Sequence, residues 1–376
     1  LASVTHPEST NAPVPAGSKT SPQRLVALDA FRGATMALMV VVNNGGGPKS
    51  YGPLNHASWD GWTMTDTVFP AFLWMVGVAI TLSLGKRLET GVPRGKLIGQ
   101  IFRRFAIMFV FGLAIYAFPE FQLGSFRILG VLQRIAICYF VASLIYLYTG
   151  IRGQIIWMVG LMAAYWVLMT LVPVPGYGAG RLDLEGNFAH YIDRIVLGHH
   201  NYSGNTWDPE GIVSTLPSIA TALLGIMAGH IVRLKRTLSE RVTWLFLMGN
   251  ILIVLGLFCN LWMPINKKLW SDSFALFMAG LDSVVLASFL WIVDHLGYQK
   301  VVKPLVIMGM NAITVYMISE FGAEILDMTN LHGKLYHMFL AVASPLNASL
   351  MYSLSFMLAM YAIAYVMYKR GWFLRI

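Results

Sequence analysis

Charged side chains are scarce in this sequence. Only 12% of its 376 residues are Asp, Glu, Lys or Arg, whereas 56% are hydrophobic, and the mean hydropathy is +0.62. Because an ordinary soluble domain has about 25% charged residues, this composition excludes that class of protein. The alternation of apolar and polar residues that marks membrane β-strands is also absent. Helices remain as the way to satisfy the backbone in lipid, so the sequence predicts a helical membrane protein.

Cysteine is almost absent as well. Cys138 and Cys259 are the two present, and both lie in apolar runs. This excludes a disulfide framework and a thiolate metal site, and we expect both thiols to be buried as small hydrophobic groups. The adjacent His199 and His200 lack a third ligand at a metal-like spacing, so no metal is expected.

Long apolar runs dominate the rest of the chain. About 20 apolar residues cross a bilayer as a helix, and the sequence predicts about ten such crossings. We therefore expect an all-α fold, a polytopic bundle of transmembrane helices, in which Gly77 allows close packing. The predicted spans are 28–45, 66–84, 99–118, 129–149, 154–173, 212–232, 242–263, 271–294, 303–322 and 347–368.

The first 23 residues differ in composition from the rest of the chain. They are rich in Pro, Ser and Thr and have no apolar core, so they do not resemble a signal peptide. We expect residues 1–23 to be a disordered tail or a leftover of cloning, and residues 24–376 to form one transmembrane domain.

Positive charge is distributed unevenly between alternate loops. If the N-terminus is cytoplasmic, the inner segments hold 19 Lys and Arg residues and the outer segments hold 7. Inner loops of membrane proteins carry such an excess, so both termini are predicted to be cytoplasmic. The net charge of +9 then reflects membrane orientation, and a nucleic-acid partner is not expected.

Polar residues concentrate in the loop after the first span, on the predicted outer side. His56 exchanges a proton near neutral pH, Asn43 and Asn44 offer amides, and Asp60 and Asp66 offer carboxylates. Three consecutive glycines let the backbone lie close to a ligand or a neighbouring helix. Residues 43–70 are therefore predicted to be an active-site loop.

Two further charged groups lie close to the outer ends of spans. Asp66 either caps the second helix or orients the imidazole of His56. Arg134, next to Gln133, lies inside the fourth span, where a charge costs a few kcal/mol, so it must face the protein interior. We expect Arg134 either to stabilise a developing negative charge or to pair with Asp66.

Two outer loops carry residues that suit a sugar. The long segment 173–211 ends in Asp208 and Glu210 beside a tryptophan, and Trp59 lies in the first outer loop. Aromatic faces beside carboxylates suit a sugar, although tryptophans also form interfacial belts. Asn266 and Lys267 lie in an outer loop whose lysines break the charge rule, and they are further candidates for substrate binding.

The inner side offers cations for an anionic ligand. Arg32 is three residues after Asp29, so the two are expected to pair on one helical face. Arg103 and Arg104 end a basic loop and would attract phosphates. Asn311 lies in the ninth span, where it either bonds across helices or lines a cavity. These residues alone fit either an enzyme with an outward-facing site or a transporter with an outer vestibule.

A family resemblance favours the enzyme. The strings RLVALDAFRG, NNGGG, NHASWDG, TDTVFPAFLW, GVLQR, DPEGIVSTLPSI, PINKKLWS and GMNAITVY occur in this order between Arg24 and the C-terminal region. Together they resemble the heparan-α-glucosaminide N-acetyltransferase family and its bacterial relatives among transmembrane acyltransferases. The resemblance implies transfer of an acetyl group from cytosolic acetyl-CoA to the amine of a terminal glucosamine. It also implies that His56 is catalytic and that Asn43 assists it.

The full set of expected roles combines this resemblance with the residue chemistry. A base removes the amine's proton and donors stabilise the oxyanion, by direct transfer or through an acetyl-histidine. Residues 24–376 would be the acyltransferase domain, in a bacterial inner membrane with a periplasmic amino-sugar acceptor and possible homodimers. The transporter alternative would predict internal repeats, and none is convincing. The expected residues are His56, Asn43, Asp66 and Arg134 for catalysis, Arg32, Arg103, Arg104 and Gln133 for acetyl-CoA, and Asn44, Trp59, Asp60, Asp208, Glu210, Asn266 and Lys267 for the acceptor.

Overall fold

A computed structural model describes residues 25–121, 124–204 and 206–374. These residues form thirteen α-helices joined by loops and short 3-10 turns, with two isolated β-bridges and no strand among them. The predicted all-α fold is therefore confirmed. The helices are α1 Val26–Asn43, α2 Val68–Glu89, α3 Arg94–Ala117, α4 Val131–Tyr148, α5 Ile151–Thr170, α6 Phe188–Val196, α7 Thr215–Val232, α8 Leu238–Cys259, α9 Asp272–Phe289, α10 Lys303–Met310, α11 Ala312–Met328, α12 Leu331–Leu340 and α13 Pro345–Lys369.

Nine helices of the described chain are long and apolar enough to cross a membrane, and the bent pair α10 and α11 brings the number to ten if the pair forms one span. The predicted span at 303–322 is divided into two helices, because α10 and α11 meet at Asn311 with a bend of 77° that the sequence did not indicate. The amide of Asn311 donates to the carbonyl of Trp372, 3.2 Å away, beyond the end of α13. The sequence left open a bond across helices or a place in a cavity wall; the observed bond runs to the segment after α13, and Asn311 also lines a cavity inside the bundle.

Glycine lets the central helices touch backbone to backbone. A Cβ at Gly77 of α2 would lie 1.9 Å from the carbonyl oxygen of Ala222, and one at Gly225 of α7 would lie 2.0 Å from that of Trp74. The close packing expected at Gly77 is confirmed. Small residues at such contacts gain dispersion energy between helices in lipid, where the hydrophobic effect does not drive association.

Burial separates central helices from those that face lipid. In the most apolar windows of α2 and α7, 72% and 78% of the residues are buried, whereas α3 and α5 have only 17% buried. Exposed apolar side chains on α3, α5 and α8, such as Val110, Trp157 and Leu257, fit a lipid surface. Cys138 is buried as expected, whereas Cys259 is only partly buried, and both are free thiols.

The two ends of the bundle differ in chemistry. We call the end that carries residues 43–67 and 264–271 the loop face, and the opposite end the basic face. At the basic face, a cavity is lined by Leu25, Phe373, Lys86, Arg233 and Arg241, among others. The first and last described segments therefore meet on one side, as an even number of crossings requires; which compartment that side faces stays a prediction.

Two short helices were not foreseen from the sequence. Helix α6 lies inside the long segment 173–211, where the side chain of Asn187 caps it by accepting a hydrogen bond from the His190 N–H at 2.8 Å. Helix α12 packs on α11 and α13. Both have fewer than 18 residues, so hydropathy windows sized for a membrane span do not detect them.

Helix α6 positions the loop that precedes α7 through one buried carboxylate. Asp193 is 1% exposed, and its Oδ1 accepts a hydrogen bond from the Ile212 N–H at 2.9 Å. Its Oδ2 has no hydrogen-bond partner among the described residues, and a Cβ at Gly211 would lie 2.0 Å from it. Burial raises the pKa of Asp193 from 3.8 to about 7.

Replacing Asp193 by asparagine should change how stability depends on pH. A carboxyl whose folded pKa is raised stabilises the fold when protonated, and that stability is lost as pH rises from about 4 through about 7. A pKa change of this size corresponds to about 4 kcal/mol at most. We expect Asp193→Asn to raise the apparent Tm in detergent at pH 8 and the advantage to shrink at pH 5. An equal advantage at both pH values would contradict the assignment. The partly exposed Asp183→Asn is the control and should show no advantage at pH 8, because the hydrogen bond from Arg181 lowers the pKa of Asp183.

Candidate active site

A histidine and a carboxylate meet at the loop face. The Nδ1 of His56 lies 2.6 Å from the Oδ1 of Asp66, and Asp66 is 1% exposed whereas the His56 side chain is 52% exposed. An Nδ1–H that donates to Asp66 leaves Nε2 of the ring with its lone pair. The sequence expectation that Asp66 orients the imidazole is consistent with this geometry.

Local structure fixes the position of Asp66. It is the third residue of a 3-10 turn, Met64–Thr67, that leads into α2, and it forms a capping box with Thr63. Its Oδ2 accepts hydrogen bonds from the Thr63 N–H at 3.1 Å and the Ala57 N–H at 3.0 Å. The two roles that the sequence left open, capping and orienting, are therefore both filled, one by each carboxylate oxygen.

Lys267 is the third member of this group. The sequence had placed Lys267 only among the residues expected to bind the acceptor. The Nζ of Lys267 lies 3.4 Å from Oδ1 of Asp66 and 3.1 Å from Nδ1 of His56. With the Nδ1–H directed at Asp66, the lysine donates to Asp66 rather than to the ring. Burial lowers the pKa of Lys267, although the charge of Asp66 opposes that shift.

Hydrogen bonds between two loops hold Lys267 beside His56. The Gly61 N–H donates to the Ile265 carbonyl at 2.7 Å, and the amide of Asn266 donates to Asp60 at 3.3 Å. Asn266 is 1% exposed and also accepts from the Leu269 N–H. Asn266 therefore uses its amide to hold the loop together and exposes almost no surface to a substrate. Asp60, in contrast, is exposed.

The end of α1 supplies a second group on the loop face. The amide of Asn43 donates to Glu320 of α11 at 3.5 Å, and Asn43 is exposed. The amide of Asn44 instead donates to the Val40 carbonyl at 2.8 Å, so it satisfies the end of its own helix. The amides of Gly46 and Gly47 both donate to the hydroxyl of Ser349 on α13. Asn43 is thus the side chain of this segment that faces open space.

Asp208 and Glu210 both form ion pairs with one arginine. Arg127 donates to Asp208 at 2.8 and 2.5 Å and to Glu210, and all three are at most 8% exposed. Burial opposes the charge of Arg127, yet the two carboxylates outweigh it and raise the pKa of the guanidinium. The structure does not support the prediction that Asp208 and Glu210 bind an acceptor, because both are buried and already paired.

Arg134 faces the protein interior as expected, with 1% exposure. Its Nη2 donates to the carbonyl of Gly211 at 3.0 Å and to the hydroxyl of Ser214, and its guanidinium lies 5.2 Å from the Trp270 ring centre. The predicted pair with Asp66 was wrong, since Asp66 bonds His56 and Lys267 instead. Arg134 ties α4 to the start of α7, and its burial keeps it from solvent at the loop face.

The aromatic cluster at the loop face contains a cation. Lys268 lies 5.7 Å from the ring centre of Trp59 and 5.6 Å from that of Trp207, and its Nζ donates to the Ser58 carbonyl. The indole N–H of Trp59 donates to the Leu182 carbonyl at 3.1 Å. Both rings are partly buried, so the role of Trp59 in sugar binding stays a prediction.

A cavity of about 360 Å³ runs inside the bundle between α1, α2, α3, α4 and the bend at Asn311. Arg32 and Arg104 line it, and its walls are apolar, with Met36, Phe72 and Met108 among them. Arg32 pairs with Asp29 at 3.2 Å, as the sequence predicted. Tyr316 of α11 also lines the cavity.

The structure separates the four residues that the sequence assigned to acetyl-CoA. Arg32 and Arg104 line the cavity, but Arg103 and Gln133 do not. Gln133 is fully buried beside Gly112 of α3, and Arg103 is exposed. Among the described residues, no three His, Cys, Asp or Glu side chains are arranged to hold a metal ion.

Sequence reasoning missed three polar residues of the site. Glu320 lies in α11, and Tyr116, whose hydroxyl accepts a hydrogen bond from Arg127 at 3.1 Å, lies in α3; in an apolar helix a single polar residue resembles the end of a span. Arg127 precedes α4. Arg127 could have been found from the sequence. It is a cation close to the start of a predicted span, and the acids Asp208 and Glu210 lie close to the start of another, so a charge pair between them was a reasonable expectation.

Comparisons with known proteins agree with the resemblance read from the motifs. A family model for the catalytic region of heparan-α-glucosaminide N-acetyltransferase matches residues 24–258. The mouse heparan-α-glucosaminide N-acetyltransferase is 32% identical over 83% of this chain and 55% of its own length. The human protein of the same name is 32% identical over 79% of this chain and 52% of its own length.

The chain spans about half the length of these relatives. The matched region includes His56, Asp66 and Arg134, and the alignment with the relatives extends over most of the chain. The chain therefore belongs to the heparan-α-glucosaminide N-acetyltransferase family.

Proposed function

We propose that this protein is a membrane acetyltransferase that moves an acetyl group from acetyl-CoA to the primary amine of a glucosamine-like sugar. The observation that carries the proposal is the pair formed by His56 and Asp66 at the loop face of a family member. A solvent-accessible imidazole held by a buried carboxylate is the arrangement that a general base requires.

The chemistry assigned to His56 follows from its geometry. A protonated amine is not a nucleophile, so Nε2 takes a proton from the acceptor amine as the nitrogen attacks the thioester carbonyl. The C–N bond forms, the C–S bond breaks, and CoA leaves as a thiol because its sulfur takes the second proton of the amine nitrogen. Asp66 stabilises the imidazolium that results and keeps the ring oriented.

The developing oxyanion needs a hydrogen-bond donor near the thioester. The amide of Asn43 is exposed at the loop face, whereas Gly46 and Gly47 already donate to Ser349 and Arg134 is buried. Asn43 is therefore our proposed donor. Arg134 keeps an indirect role in this proposal, because its hydrogen bonds hold α4 against the start of α7.

The central cavity suits the donor substrate. Its apolar walls would accommodate the pantetheine arm, and Arg32 and Arg104, which line it, would contact phosphate groups. A thioester brought through the bundle reaches an amine at the loop face without a covalent relay. For this reason we favour direct transfer over an acetyl-histidine intermediate.

The excess of positive charge on the basic face supports a cytoplasmic orientation of that face. The loop face would then open to the periplasm of a bacterial inner membrane, where the acceptor sugar would bind. Homodimerisation is proposed from the family only. The lipid-exposed faces of α3 and α5 provide surface for it.

Replacing His56 by alanine tests the proposed base. Purified protein is assayed in detergent with radiolabelled acetyl-CoA and glucosamine, and we expect His56→Ala to lose activity by about 100-fold or more because general base catalysis is removed. The exposed His199→Ala is the matched control and should keep wild-type activity. Activity retained in His56→Ala would refute the role of His56.

A second result of the same assay separates the alternatives. A labelled acetyl-enzyme trapped without acceptor, with ping-pong kinetics, would replace direct transfer by the acetyl-histidine route. Failure of the wild type to bind acetyl-CoA would instead favour the transporter.

Neighbouring arginines test the donor site. If the cavity holds acetyl-CoA, Arg104→Met should raise the KM for acetyl-CoA about tenfold, because a charged contact with phosphate is lost. Arg103→Met should change it little, since Arg103 does not line the cavity. Equal effects of both variants would show that overall positive charge, rather than the cavity, attracts the donor. The exposed Lys96→Met controls for removal of charge from the same loop and helix.

A further inference from the structure

Glu320 is a carboxylate that the proposed chemistry has not used. It lies on α11, one helical turn after Tyr316, which lines the central cavity. Its Oε1 accepts a hydrogen bond of 3.5 Å from the amide of Asn43, the residue at the loop-face end of α1. Glu320 is thus placed where the cavity approaches the loop face.

Cations do not neutralise this carboxylate. In the described residues, no Lys, Arg or His lies within ion-pair distance of Glu320. Arg127, the arginine of the neighbouring cluster, is already paired with Asp208 and Glu210. Lys267 is paired with Asp66. Tyr116 and Tyr316 also lie near Glu320, and their phenols carry no positive charge.

A partly buried carboxylate without a cation is costly, because its desolvation is not offset by an opposite charge. The contact with Asn43 is long and supplies only a neutral donor. Asn43 itself is exposed, so a ligand at the loop face has access to this pair. The site is electrostatically complementary to a small cation that also accepts or donates hydrogen bonds.

We propose that Glu320 and the amide oxygen of Asn43 form the subsite that binds the protonated primary amine of the acceptor before transfer. This inference rests on the proposed acetyltransferase function and adds the residue that selects an amino sugar over a neutral sugar. The ammonium forms an ion pair with Glu320, and the Asn43 amide then turns away from Glu320 toward the thioester oxygen. Deprotonation by His56 follows, so Glu320 determines specificity and does not act as the base.

Binding of glucosamine and of glucose to purified full-length protein tests the proposal without requiring turnover. We expect the wild type to bind glucosamine about tenfold or more tightly than glucose, since a charged hydrogen bond is worth about that factor. Glu320→Gln should lose the preference, and Glu320→Asp should keep part of it. Glu324→Gln, one turn further along the same helix, is the matched control and should behave as wild type.

Kinetics separates this subsite from the proposed function. If the wild type acetylates glucosamine, Glu320→Gln should raise the KM for glucosamine about tenfold and leave the KM for acetyl-CoA unchanged. An unchanged KM for glucosamine would remove Glu320 from the subsite while the acetyltransferase function stands. Preference for glucosamine that depends on Glu320, without any acetyl transfer, would keep the ammonium subsite and overturn the function.

The wild type alone provides a further measurement if Glu320→Gln fails to fold. Its affinity for glucosamine should fall as pH rises through the pKa of the sugar amine, whereas its affinity for glucose should not. Equal affinities for the two sugars at a pH where the amine is protonated would overturn the proposal.

Discussion

The carboxylate of Asp66 is the contact on which the loop face depends. One oxygen accepts backbone N–H groups from Ala57 and Thr63, and the other faces His56 and Lys267. Because Asp66 is also part of the turn that begins α2, the position of the imidazole is fixed to one of the two most buried helices. A rigid helix end is a better support for a base than a free loop, since small displacements of a catalytic group cost large factors in rate.

The polar residues on the loop side of the bundle fall into two classes with different physical roles. Arg127 pairs with both Asp208 and Glu210 in a site that is at most 8% exposed, so these ion pairs hold the segments before α4 and α7 together. Breaking such a buried set is costly because the partner is left uncompensated. By contrast, His56 and Asn43 are exposed, and their hydrogen-bonding capacity is not exhausted by the fold. We therefore expect His56 and Asn43 to take part in the reaction, and Arg127, Asp208 and Glu210 to stabilise the fold.

The sequence predicted the helical class and nearly all of the crossings, because a span needs only length and hydropathy, both of which are local properties. It also offered Asp66 as a candidate to orient His56, because the two lie only ten positions apart in the chain. It did not predict the break at Asn311, whose amide donates to the carbonyl of Trp372 far along the chain. Lys267 and Glu320 are likewise 211 and 277 residues from their partners His56 and Asn43. Their roles required the three-dimensional packing of helices, which no local pattern encodes.

The bend between α10 and α11 also bears on the choice between an enzyme and a transporter. Broken helices occur in transporters, where half-helices move to open each side in turn. Here α10 packs backbone to backbone against α1, as the contacts of Gly33 with Leu305 and of Gly309 with Asp29 show. Close backbone contact of this kind opposes sliding of the half-helix against α1, and the central cavity lies beside it. The proposed acetyl transfer needs only that a thioester on a long flexible arm crosses most of the bundle, and the helices need not move for this. Transport of a whole solute would need such movement.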